Sequence, residues 1–133
     1  EMAEALHVAE QRWQLALKGS NDAVWDWNIP LGQIYHDEQW ARMLGFEPHE
    51  VPQGVEAWRS LVHPDDLGPA DAAAADHLAQ RTEFYLHEYR MRTKAGGWKW
   101  ILDRGKVVAR TAEGRPARMV GTHTDITERK NLE

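Results

Sequence analysis

With 133 residues the chain fits one domain of ordinary size, large enough for a real core and leaving room for only short extensions. Its 16 Lys and Arg are outnumbered by 21 Asp and Glu, and a net charge of −5 excludes the basic field that binding to a phosphate backbone needs. Cysteine is absent, which removes disulfides, thiolate zinc sites and a cysteine nucleophile, and no apolar run approaches the ~20 residues of a membrane span.

In chain order, Met2, Leu6, Ala9, Trp13 and Ala16 recur at alternating steps of four and three, the seam of an amphipathic, coiled-coil-like helix that Gly19-Ser20-Asn21-Asp22 ends. Two readings stand: the stripe packs on its own domain, or Leu6, Ala9, Trp13 and Ala16 form a parallel homodimer seam. Ala23, Trp25, Trp27 and Ile29 alternate with Val24, Asp26 and Asn28 as a first strand, Pro30-Leu31-Gly32 turns the chain, and Gln33 to His36 is a short second strand. Asp37 can cap a helix with Trp40, Met43 and Leu44 on one face and Gly45 at its close, and Trp58, Leu61 and Val62 mark another. His63-Pro64-Asp65-Asp66 reads as a turn with helix-start chemistry, its carboxylates solvated, and residues 69–80 as a helix holding the Ala72 to Ala75 run.

Strands follow from Thr82 to Thr93 and from Trp98 to Arg110 around Ala95-Gly96-Gly97. Glu113-Gly114-Arg115-Pro116 then turns into a last strand whose Gly121 permits a close backbone approach. That strand passes directly into a charged helix, with Asp125-x-x-Glu128 as an acidic capping box. Two hairpins around a helical insert imply an α+β fold, a mainly antiparallel sheet with helices on one face. The third strand is apolar on both faces, so the insert covers one and the N-terminal helix, from this chain or a partner, covers the other. Glu88 and Arg90 are placed to pair with Lys99, Asp103 or Arg104 on the neighbouring strand.

The seven His residues offer no ligand pair at helical spacing, and no phosphate loop, nucleophile elbow or metal–carboxylate cluster is present. The chain therefore does not read as an enzyme. Trp25, Trp27, Trp40, Trp58, Trp98 and Trp100 all fall on apolar faces; either they fill the core, or they wall an apolar cavity beside the Ala-rich helix.

Trp25-Asp26-Trp27, Met43-Leu44-Gly45-Phe46, His63-Pro64-Asp65-Asp66, Glu88-Tyr89-Arg90-Met91, Trp98-Lys99-Trp100 and Asp125-Ile126-Thr127-Glu128-Arg129-Lys130 occur in the order and spacing of one family. Over residues 22–130 the chain resembles a PAS domain, the sensory and dimerisation module found upstream of signalling enzymes. One departure is Ala95-Gly96-Gly97, where similar domains carry Asp-Gly.

The resemblance implies a five-stranded antiparallel sheet in the order 2-1-5-4-3, short helices on one face, and an N-terminal amphipathic helix. It divides the chain into a dimerisation helix (1–21), the PAS domain (22–127) and the start of an output linker helix (128–133). It further implies a sensory module of a larger cytoplasmic signalling protein, such as a histidine kinase or cyclic-di-nucleotide enzyme. Such a module senses a small ligand or cofactor and passes the change through Asp125, Ile126 and Thr127 to an attached output domain. The alternative is a ligand-free interaction and homodimerisation module. The residues expected at a cofactor are Trp25, Trp27, Trp40, Leu44, Leu61, His77, Tyr89 and Trp100. His77 lies on the helix that presents the proximal histidine in haem-binding relatives, and other relatives hold FAD without cysteine. The cofactor stays open between none, the first expectation, FAD and haem; the lack of cysteine excludes a cysteinyl–flavin adduct or a thioester chromophore. The chain opens at Glu1 and is read as an internal piece of a longer protein.

Overall fold

The computed structural model describes residues 21–133; Leu6, Ala9, Trp13 and Ala16, the expected dimer seam, lie outside the described residues. The elements run β1 (Ala23–Asn28), β2 (Gln33–His36), α1 (Glu38–Met43), a 3-10 turn (Pro48–Glu50), α2 (Val55–Leu61), α3 (Pro64–Leu78), β3 (Tyr85–Arg92), β4 (Trp98–Arg110), β5 (Pro116–Asp125) and α4 (Thr127–Asn131). The strands form one antiparallel sheet in the order β2-β1-β5-β4-β3, so the strand that leads to the exit lies at its centre.

Local chemistry places the elements. Gly32 N–H bonds to the Ile29 carbonyl at 3.1 Å, closing the β1–β2 turn with Pro30 in its second position. The Asp37 carboxylate accepts from Trp40 N–H at 3.3 Å, the cap expected for α1. His63 caps α3 through Nδ1, which accepts from Asp65 N–H at 3.1 Å.

Several elements differ from the sequence reading. The His63-Pro64-Asp65-Asp66 turn and the expected 69–80 helix are one helix, Pro64–Leu78, with Pro69 inside it. Asp65, Gly68 and Pro69 are exposed, so water can serve the carbonyl that the proline leaves without a helical donor. Asp66 does not remain a solvated cap. It accepts from the backbone N–H of Arg90 at 2.8 Å and takes its guanidinium at 2.9 and 2.7 Å, fastening α3 to the edge strand β3. The arginine holds the Asp66 carboxyl below its usual range. β3 begins at Tyr85 rather than Thr82, because the Thr82 carbonyl faces the His77 ring instead of a neighbouring strand.

The helices cover one sheet face, where Trp40, Leu44, Val62, Tyr89, Met91 and Ile101 form the main core. Trp25 crosses the sheet on that face above Gly121 and Gly105, which pair across β4 and β5. A Cβ at Gly121 would collide with the Arg104 carbonyl oxygen and the Trp25 ring, so the close approach requires glycine there. Trp98 and Trp100 are not core residues. They stand on the opposite face, with Arg92 over Trp98 at 4.9 Å and Arg90 over Trp100 at 5.3 Å.

Candidate functional site

The inner faces of β1, β4 and β5 would be apolar by alternation alone, yet Asp103 and His123, partners across β4 and β5, both point inward and are buried. Burying a carboxylate is costly unless donors surround it, and here they do. Trp25 Nε1–H donates to Asp103 Oδ1 at 2.8 Å, and Tyr89 OH donates to Oδ2 at 2.7 Å. Trp58 Nε1–H donates in turn to the Tyr89 oxygen at 2.9 Å, so α2, β3, β4 and β1 are joined by one chain of hydrogen bonds. His123 Nε2 lies 3.2 Å from Asp103 Oδ2 and 3.1 Å from the Tyr89 oxygen. The Tyr89 proton is directed at the carboxylate, so both neighbours of Nε2 are acceptors and Nε2 carries a hydrogen. Burial, followed by the Asp103 charge, pushes both tyrosine hydroxyls, Tyr85 and Tyr89, far above their usual range.

Beside this cluster is a cavity of about 220 Å³ walled by Trp25, Trp27, Trp58, Tyr85 and Met119, with Ala70 and Ala74 of α3 on its helical side. His36 also lines it, stacked on Trp40 with ring centroids 3.9 Å apart. Burial, and then the neighbouring His123, lower its pKa to about 3, so its imidazole is neutral. Several buried polar atoms here have no hydrogen-bond partner: both ring nitrogens of His36, Nδ1 of His123, and Nε1 of Trp27 and of Trp40. At the rim Arg59 is held by Asp71 through two hydrogen bonds of 2.8 and 3.1 Å. A wider groove of about 670 Å³ beside the β1–β2 turn is lined mainly by exposed residues and touches none of these groups.

Of the expected cofactor set, Trp25 and Trp27 line the cavity and Tyr89 joins them through Asp103. Trp40 and Leu44 are buried in the main core, and Leu61 packs against it. Trp100 is on the other face of the sheet. His77 is buried with both nitrogens committed: Nδ1 lies 3.1 Å from the Thr82 carbonyl, and Nε2 accepts from Val107 N–H at 3.0 Å. No lone pair is left for iron, and haem ligation through His77 does not fit this arrangement. The cavity is also smaller than the ~300–1,000 Å³ of pockets that enclose drug-sized ligands, and it does not enclose a whole flavin nucleotide. Among the described residues no group of His, Asp and Glu is placed to hold a metal ion. The sequence reading missed His36, Asp103 and His123 as site residues. Alternation carried a signal for Asp103, which shares its strand face with the apolar Ile101 and Val107.

At the end of β5 the chain turns into α4 without the expected capping box. Ile126 is the N-cap and makes no side-chain cap bond. Asp125 instead accepts from Thr127 N–H at 3.0 Å and Thr127 OH at 2.6 Å, and pairs with Lys99 at 3.0 Å. The Thr127 oxygen accepts from Trp100 N–H at 3.0 Å, and Ile126 N–H returns to the Trp100 carbonyl at 2.9 Å. Burial alone would raise the Asp125 pKa, but its bonds to Thr127 and Lys99 outweigh it and lower the value. Glu88 does not pair along the sheet with Lys99 or Arg104. It holds Arg129 and Lys130 of α4, and Lys130 lies 4.7 Å from the Trp100 ring centre.

The PAS fold family matches residues 33–123. The chain belongs to that family. The structure of a sensory box histidine kinase/response regulator of Burkholderia thailandensis is similar to this one, with TM-score 0.79 and 38% identity, covering 91% of this chain and 88% of that one. The two-component sensor PprA of Pseudomonas aeruginosa is 33% identical over 134 residues, 96% of this chain and 13% of that protein. The probable diguanylate cyclase DgcE of Escherichia coli is 27% identical over 122 residues, 92% of this chain and 11% of that protein. The chain spans 5% to 16% of the length of the curated relatives it matches. No described helix is long and apolar enough to cross a membrane.

Proposed function

We propose that this PAS chain is the sensory module of a larger cytoplasmic signalling protein, of histidine kinase or cyclic-di-nucleotide type. A change at the inner cavity passes along β4 and β5 to Asp125, Ile126 and Thr127, and from there to an attached output domain. The observation that carries this reading is the shared pair of strands. Asp103 and His123 border the cavity, while Trp100 of β4 and Asp125 of β5, only a few residues further along, fix the outgoing helix. Residues 22–127 form the sensory unit and 128–133 begin the linker. The test is a fusion in which α4 continues into a kinase or cyclase. Asp125→Ala is expected to uncouple output from stimulus while the domain stays folded, and an unchanged response would reduce Asp125 to a local cap.

A second reading, homodimerisation, is favoured by the exposed Phe84 and Leu86 on the outer face. In it the N-terminal residues Leu6, Ala9, Trp13 and Ala16 form the seam. Trp13→Glu puts a charge there, and light scattering at micromolar concentration should show a lower mass. Equal masses for wild type and variant would reject the seam.

A further inference from the structure

We propose that the open part of the β3 edge takes up an extended, acidic segment of another protein as a sixth strand of the sheet. This goes beyond the sensory reading and does not depend on it. Each edge of a sheet presents a row of backbone N–H and C=O groups unless something covers it. On β2, Asp37 N–H bonds to the Val24 carbonyl, so alternation turns the backbone groups of His36 and Ile34 outward. The Gln53 side-chain amide stands in for a strand at His36, accepting from its N–H and donating to its carbonyl, both at 2.8 Å. Only Ile34 then remains before the turn. On β3 the cover stops halfway. His63 N–H reaches the Arg90 carbonyl at 2.9 Å, Asp66 takes the Arg90 N–H at 2.8 Å, and Val62 bridges to Met91. The β3–β4 register is continuous, so the backbone groups of Leu86 and Glu88 face the same way as those of Arg90. Among the described residues nothing bonds them there.

The side chains around this edge define the partner. On the outer face Phe84 and Leu86 are 50% and 57% exposed. Arg104, the register partner of Leu86, and Lys106 have no ion pair among the described residues. Lys106 Nζ lies 5.0 Å from the Phe84 ring centre, so its charge is carried over β3 towards the open edge. Acidic side chains of an added strand, set beside Phe84 and Leu86, meet these two cations. Glu88, the acid of β3 on this face, is already held by Arg129 and Lys130. Edge-to-edge pairing of two copies would therefore join two faces of uncompensated positive charge, and the charge pattern favours an acidic partner over a second copy. On the inner side Ala70 of α3 is buried in the main core and Ala74 lines the cavity. Helical periodicity then puts the exposed Pro69 and Ala72 on the flank turned away from the cavity. Such small residues leave room for apolar side chains on the other face of the added strand, so the segment alternates acidic and apolar residues.

The test is two-dimensional NMR, with sedimentation, of the 133-residue chain and two synthetic hexapeptides blocked at both ends. One alternates glutamate and valine, the other lysine and valine. The acidic peptide is expected to shift the Leu86 and Glu88 amide signals saturably and to slow their hydrogen exchange. The lysine peptide should bind at least about tenfold more weakly. Lys106→Glu, at an exposed position, should weaken the acidic peptide about tenfold. Leu86→Pro deletes an N–H that faces away from β4 and should abolish binding; Lys106→Glu keeps the test decisive if Leu86→Pro does not fold. Equal binding of the two peptides, or binding that survives both substitutions, would overturn the proposal. So would signals unmoved at millimolar peptide. A chain that sediments as a dimer, with the Leu86 and Glu88 amides protected before any peptide is added, would also overturn it and give the edge to a second copy.

Discussion

The two polar clusters on either side of the sheet obey different physics. On the inner face Asp103, Tyr89, His123 and Trp25 are sealed from water, so each hydrogen bond is strong and each lost partner leaves an uncompensated buried group. On the outer face Glu88, Arg129 and Lys130 are partly exposed, where solvent and salt screen every pair. The inner cluster therefore bears on whether the domain folds. The outer one bears on where the exit helix points. Thr127 connects the two regimes, half-open to solvent yet accepting from the Trp100 N–H of β4, and Asp125 accepts the Thr127 hydroxyl.

The comparison is broken most severely at its buried end. Asp103→Ala would leave Trp25 Nε1–H, Tyr89 OH and His123 without their common acceptor. A loss of about 3–5 kcal/mol in urea denaturation is expected, as for other buried pairs stripped of one partner. A loss below about 1 kcal/mol would mean that the cluster is more hydrated than its burial implies.

The effect of His36 is spread over pH, and its sign follows from linkage. Its folded-state pKa of about 3 lies below the ordinary 6.5, so between those values the unfolded chain binds a proton that the folded chain refuses. Stability should fall on acidification through that window, by up to ~1.4 kcal/mol per pH unit, and this contribution should be flat above it. His123, Asp37 and Asp103 lie nearby, so the measure is the difference between wild type and His36→Phe. Parallel stability–pH curves would show that His36 is not held neutral.

Asp125→Ala should cost only about 1 kcal/mol, the usual value of a lost helix-start bond, visible as a modest fall in melting temperature. Smallest of all is Glu88→Gln, expected to leave the melting temperature unchanged while speeding amide exchange in α4. Unchanged exchange there would show that Glu88 does not hold the exit helix.

Much of this fold was legible because its signals are local. Alternating apolar residues drew β1, Asp37 drew the start of α1, and the glycine-rich turn set β4 at Trp98 to Arg110. Misreadings came where a helix continued through a local breaker, or where a side chain's partner is remote in sequence. Pro69 looked like a helix boundary until Pro64 and His63 were seen to start the same helix. Glu88 looked like a cross-strand partner until α4 came round to meet it.

By itself, then, the sequence determined the element order, since periodicity and turn chemistry act within a few residues, and its motifs carried the resemblance to the PAS family, which in turn implied the central exit strand. The tertiary structure decided the site. Trp25 and Asp103 are 78 positions apart, and Tyr89 and His123 are 34 apart; only strand pairing brings them together. Strand alternation turned Trp100 away from the cavity, while the Thr82 carbonyl and the Val107 N–H took both nitrogens of His77. Burial and hydrogen-bond partners are properties of the assembled sheet, which no stretch of chain carries alone.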